Sequence, residues 1–115
     1  MKKIEAIIKS EKTHLLAETL RKFGVGGVTV LQVRGRGSSR VPVISGLRGT
    51  ARFVADFNAR SAVYTIVDDS KVDQVVSKIL NVLHETGKKG EGKIFVTPVD
   101  DVIDICTKER GKAAL

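Results

Sequence analysis

Glycines at 87, 90 and 92 alternate with Lys88, Lys89 and Lys93 in a turn that runs straight into the apolar segment Ile94-Phe95-Val96. Glycine permits positive φ and lets backbone N–H groups converge on an anion without Cβ interference, and the lysines add charge. The chemistry that such a turn can do is to hold a phosphate. It is not a Walker A loop, because Gly92-Lys93 is followed by Ile94 where that motif requires Ser or Thr. Nor is it a dinucleotide fingerprint, since its glycines lead into a strand and not into a helix. A solvated hairpin is the commoner use of a Gly/Lys turn, so composition alone does not decide.

Arginine supplies the second concentration of anion-binding groups. Six of the eight arginines (Arg34, Arg36, Arg40, Arg48, Arg52 and Arg60) fall between positions 34 and 60, where Asp56 is the sole acid. The guanidinium fork suits phosphate or carboxylate, although a solubilising loop surface would have the same composition. No set of side chains suggests catalysis. His14 and His84 stand apart without metal-ligand spacing, and no Ser/His/Asp or Cys/His set is present, so neither an enzyme nor a metal site is expected. Asp100, Asp101 and Asp104 read as solvated carboxylates near a strand end. The one cysteine, Cys106, excludes an intrachain disulfide framework and reads as a small buried or edge thiol.

The elements that must position these groups follow from periodicity. Residues 1–9 put Ile4, Ala6 and Ile8 on one face of a strand. Ser10 is placed to cap a helix over residues 12–23, where Leu16, Leu20 and Phe23 recur at helical spacing and Gly24 marks the stop. Residues 28–33 are rich in β-branched side chains and predict a strand running on to Gly35. Residues 36 to about 58 lack a sustained period and predict a long loop of the kind that is usually functional, with short strand-like pieces at 41–44 and 53–57. A strand over 61–67 follows. Ser70 and Asp73 resemble a capping box before a helix whose apolar face is Val72, Val75, Val76, Ile79 and Leu83. The last strand is 93–97, and the polar tail from 108 to 115 reads as frayed.

This order, βαββαβ, is that of the α+β ferredoxin-like plait, and 115 residues with 42% hydrophobic content fit one domain spanning 1–115. No apolar run approaches membrane-spanning length or forms a signal-peptide core, so a soluble cytoplasmic protein is expected. The plait hosts RNA-recognition modules, ACT-type amino-acid sensors and other functions. The net charge of +7 invites a nucleic-acid reading. Base stacking would need aromatics on the central strands, where the first strand has none and the third only Tyr64, so a small RNA-binding module remains the alternative and nucleic acid is not expected.

Taken together, the elements resemble the PII family of nitrogen-regulatory signalling proteins over nearly the whole chain. Met1-Lys2-Lys3-Ile4-Glu5-Ala6-Ile7-Ile8-Lys9 is similar to that family's opening strand. Gly27-Val28-Thr29-Val30 and Val33-Arg34-Gly35-Arg36-Gly37 are similar to its second strand and the base of its T-loop, here about 37–56. Residues 86–93 are similar to its B-loop, with Glu91 where Asp is usual. The resemblance implies a homotrimer that binds an adenine nucleotide (AMP, ADP or ATP) in intersubunit clefts and uses no catalytic cofactor. It implies that Thr29, Gly35, Arg36, Gly37, Ser38, Ser39, Arg40, Gly90, Glu91, Gly92 and Lys93 line the nucleotide site. It also implies a T-loop that reports the ligand to an ammonium transporter or an enzyme of nitrogen metabolism, with Arg48 of Leu47-Arg48-Gly49 at the loop tip.

Several positions depart from the family pattern. Ser38 and Ser39 stand where an arginine and the Mg²⁺- and 2-oxoglutarate-binding glutamine are usual, which argues against the usual 2-oxoglutarate response. Arg60 replaces the T-loop lysine that meets the 2-oxoglutarate carboxylate. Asp104 and Cys106 replace two arginines of the last strand that reach the nucleotide phosphates, which points to AMP or ADP over ATP, or to compensation by Arg36 and Arg40. The uridylylated tyrosine has no counterpart, since Tyr64 lies in a strand.

Overall fold

The computed structural model describes residues 1–37, 43–45, 52–54, 57–84 and 91–115. In chain order the elements are β1 (Lys2–Lys9), α1 (Thr13–Phe23), β2 (Thr29–Gly35), β3 (Val43–Ser45), β4 (Arg52–Val54), β5 (Asn58–Val67), α2 (Val72–Leu83) and β6 (Gly92–Pro98). Strands β2, β5, β1 and β6 form one antiparallel sheet in that spatial order, and both helices cover one of its faces. This is the α+β plait that the element order predicts.

Alternation along β1 decides which face the helices cover. Ile4, Ala6 and Ile8 are buried while the residues between them are half-buried. Opposite them on β5 stand Thr65, Val63 and Ser61, so these also point toward the helices. Leu16 and Leu20 of α1 and Val75 and Ile79 of α2 complete the core, each at most 2% exposed. Burying a side chain of this size contributes roughly 1.5–3 kcal/mol. Two hydroxyls in this apolar layer have partners, as burial requires. Ser61 Oγ shares a hydrogen bond with Thr13 Oγ1 (2.7 Å), and Thr65 Oγ1 donates to the Gly27 carbonyl (2.6 Å).

The helix ends show where sequence signals hold and where they are displaced. Gly24 ends α1 in the left-handed conformation (φ 92°), and its N–H donates to the Leu20 and Arg21 carbonyls. Ser10 does not cap α1. It opens a short 3-10 turn (Ser10–Lys12), and its carbonyl accepts from the Thr13 hydroxyl (2.8 Å). Nor do Ser70 and Asp73 form the capping box at α2. A 3-10 turn (Asp69–Lys71) precedes this helix too, and the extended backbone of Asp68 lets its carboxylate accept from the Ser70 N–H (3.1 Å) and hydroxyl (2.5 Å). These contacts hold the Asp68 carboxyl below the usual carboxylate range, the Ser70 hydroxyl being the largest cause.

Between β2 and β5 the short strands β3 and β4 pair with each other, Ile44 opposite Phe53. β5 begins at Asn58, three residues before the apolar pattern, because Gly35 to Val33 of β2 pair with Asn58 to Arg60. The tail, residues 108–115, is also more ordered than its polar composition predicts. Asp101 Oδ1 accepts from the Val102 and Gly111 amides, its Oδ2 meets Arg110 at 2.9 Å, and Gly111 to Ala114 form a 3-10 turn whose end lies against Gly26. The tail is therefore folded, not frayed.

Candidate functional site

The glycine of Gly92-Lys93 has a specific structural cause. At φ 140° Gly92 adopts a backbone conformation that side chains disfavour, and a Cβ there would overlap the Ile7 carbonyl of β1. β6 can begin at this point only as glycine. Lys93 then falls opposite Ile7, exposed, on the sheet face away from the helices. On the helix side, a cleft of about 460 Å³ opens between α2 and β6, walled by Ile8, Val76, Ile79, Leu80 and Leu83 and rimmed by His84, Glu91 and Lys93. Glu91, Gly92 and Lys93 are thus brought together at the start of β6, whereas Gly90 lies outside the described residues.

The second glycine segment lies at the same end of the sheet but on its other edge. Gly35 ends β2, with Arg36 and Gly37 following, and a Cβ at Gly35 would touch the Arg60 side chain at 3.9 Å. Three inter-strand spacings separate β2 from β6, about 14 Å. A single phosphate on Lys93 is therefore out of reach of the Gly35 backbone in the same chain. A longer ligand, or the edge of a second chain, is needed to join them. Thr29 is not part of either cluster. It lies six residues from Gly35, about 20 Å along the strand. There it walls a separate cavity of about 250 Å³ with Gly26, Gly27, Tyr64, Ile66, Ala114 and Leu115. Ser38, Ser39, Arg40 and Arg48 lie outside the described residues.

Asp104 and Cys106 do not stand in the last strand, which ends at Pro98, but in the turn beyond it. Asp104 Oδ1 accepts from the Cys106 and Thr107 amides, both at 2.8 Å. Those bonds, Thr107's first, hold the carboxyl below its ordinary range. The amide bonds favour the charged form of the carboxyl. Cys106 is exposed, contrary to the expected buried or edge position. His14 and His84 are exposed on or beside separate helices. Among the described residues no three His, Cys, Asp or Glu side chains converge as a metal would require. No helix is long and apolar enough to cross a membrane.

Sequence reasoning missed Tyr64 beside Thr29, the aliphatic wall beside Lys93, and Lys9, which stands directly opposite Arg60. Strand register alone creates these neighbours. The Ile7/Lys93 and Lys9/Arg60 pairs cannot be read from alternation within one strand.

Residues 1–109 match the family model described as nitrogen regulatory protein P-II. The chain belongs to the P-II family. It is 39% identical over the full length of both chains to the nitrogen regulatory protein P-II of Azospirillum brasilense, and 40% identical, again over both full lengths, to that of Pasteurella multocida. Among solved structures it is similar to Arabidopsis thaliana PII bound to citrate. The TM-score is 0.77 at 34% identity, covering 99% of this chain and 91% of that one. P-II membership accounts for the plait, which the Arabidopsis relative shares.

Proposed function

We propose that the chain is one P-II domain acting as a non-enzymatic signalling protein in the cytoplasm. A homotrimer of this domain binds AMP, ADP or ATP in intersubunit clefts, and the β2–β5 connection transmits the bound state to a partner in nitrogen metabolism or ammonium transport. One observation carries the reading. The Gly35-Arg36-Gly37 and Glu91-Gly92-Lys93 segments lie at one end of the sheet on opposite edges. Adjacent copies can bring unlike edges together around one ligand, which a single chain cannot do for a single phosphate. The nucleotide would lay its phosphates along Gly90, Gly92 and Lys93 and meet Thr29, Gly35, Arg36, Gly37, Ser38, Ser39 and Arg40, with Arg48 left to the partner. Nucleotide-dependent change in the loop is a population shift, effective to the extent that ligand contacts differ between its conformations.

Asp104 keeps its negative charge while its carboxylate accepts from two amides of its own turn, so it still disfavours a triphosphate brought close to it. Citrate on the Arabidopsis relative supports the capacity of this fold to hold a polyanion. Calorimetric titration with AMP, ADP and ATP, with and without Mg²⁺ and 2-oxoglutarate and beside single-stranded RNA, tests the proposal. Nucleotide binding with little enhancement by 2-oxoglutarate is the expected result. RNA binding without a nucleotide response would overturn it.

A further inference from the structure

The chain leaves β6 at one edge of the sheet, yet Ala114 and Leu115 wall the cavity of Thr29 and Tyr64 at the other edge. Residues 110–115 therefore run across the end of the sheet away from the β2–β5 connection. Two ion pairs fasten them on the way. Arg110 meets Asp101 at 2.9 Å, and Lys112 meets Asp68, the residue after β5, at 3.8 Å. Both cations stand in solvent, so each pair is weak and is screened by salt. The crossing starts at Gly111, which takes the left-handed conformation (φ 67°) with open space around it. Its amide donates to the Val102 carbonyl (2.9 Å) and the Asp101 carboxylate (3.2 Å). Apolar anchoring is slight. Leu115 is 40% exposed, and of residues 110–115 only Gly111 and Ala114 are half-buried.

The other walls of this cavity of about 250 Å³ are fixed by the sheet. Thr65 bonds the Gly27 carbonyl, and the Lys3 ammonium lies over the Tyr64 ring, 4.3 Å from its centre. The tail closes against them, with the Leu115 carbonyl carbon 3.1 Å from the position a Cβ on Gly26 would take. We propose that residues 110–115 are an ion-latched strap that gates this cavity. With Arg110 and Lys112 paired the tail side is closed, and with both pairs released the strap swings out at Gly111. The inference rests on the nucleotide reading only in making Thr29 a contact for the ligand admitted. Entry then costs two weak ion pairs and the Leu115 contact, and leaves the sheet intact.

Tyr64 is the sole tyrosine and the chain has no tryptophan, so tyrosine emission reports on this cavity. Acrylamide quenching of that emission in the full chain tests the strap. In Arg110→Gln/Lys112→Gln the quenching constant should rise about twofold, since two exposed ion pairs move an open–closed ratio only several-fold. Sodium chloride should bring the wild type toward this variant and leave the variant unchanged. Arg110→Lys/Lys112→Arg should keep the wild-type constant. So should Arg21→Gln/Lys22→Gln, which removes two cations and one exposed ion pair from α1. Hydrogen exchange should quicken at the Gly111 amide and not at Val99, whose amide is bonded to the Met1 carbonyl. An unaltered quenching constant in Arg110→Gln/Lys112→Gln, an equal rise in the α1 variant, or equal acceleration at Gly111 and Val99 would overturn the proposal. The two readings fail separately. Quenching that depends on Arg110 and Lys112 without AMP, ADP or ATP binding removes the nucleotide reading alone. Nucleotide binding with quenching indifferent to both cations removes this one alone.

Discussion

Gly92 and Lys93 are adjacent, yet they do different work. Gly92 is required by backbone geometry, so Gly92→Ala must move β6 off β1 or strain the chain, at a cost of about 1–3 kcal/mol in folding stability. Lys93 is exposed and contributes no packing of that kind. Lys93→Ala should leave the unfolding midpoint nearly unchanged while weakening nucleotide binding by about 1.5–3 kcal/mol if its ammonium meets a phosphate. Urea titration and calorimetry on the two variants separate these effects. Equal affinity in Lys93→Ala would move the phosphate to other groups. The glycine spacing in the sequence reads as room for an anion, whereas the group that approaches Gly92 is the Ile7 carbonyl of β1. Alternation within β6 carries no information about β1.

At the scale of elements, the turn after β6 is organised by two aspartates whose side chains replace missing backbone bonds. Asp101 ties together amides nine residues apart and pairs with Arg110. Asp104 caps its own turn and has a lowered pKa for that reason. A carboxyl with a depressed folded-state pKa stabilises the fold above its ordinary value near about pH 3.9, and this contribution is lost as pH falls through the lowered value. Asp104→Asn keeps an acceptor but does not titrate. Its stability should therefore fall less than that of the wild type as pH drops below about 4, which denaturant melts across that range would register. Parallel pH curves would mean that the Asp104 bonds are not maintained in solution. Sequence reading took residues 108–115, which supply two of the partners of Asp101, as a frayed tail because their composition is polar. The partners of Asp101 lie at positions 102, 110 and 111, and a polar side chain does not reveal whether its partner is water or a distant amide.

For the whole molecule, one face of the sheet is left uncovered by the helices. Leu31 and Phe95 are 50% and 45% exposed there, at opposite edges, with Ile7, Ala62 and Tyr64 between them. Lys3, Glu5, Lys9, Arg60 and Lys93 share this face, and exposed apolar side chains set among charged ones suit a contact between copies. Light scattering should give a trimer of the 12.4 kDa chain, and Leu31→Glu should yield a folded monomer that no longer binds nucleotide. A wild-type monomer that binds nucleotide would place the whole site within one chain and sink the intersubunit reading.

Element order, the faces of both helices and the glycine stop of α1 were legible along the chain, whereas the reason for Gly92 was not. Each legible feature rests on local periodicity or on the conformational range of one residue. Spatial strand order and register were not. They place Gly35 and Lys93 on opposite edges, set Lys9 against Arg60, and move Thr29 away from both glycine segments into a cavity with Tyr64. A strand's alternation states which side chains share its face, but the neighbours of those side chains come from strands tens of residues away. Pairing is selected by the packing of the complete core, and that selection turned a list of glycines and cations into two separated edges.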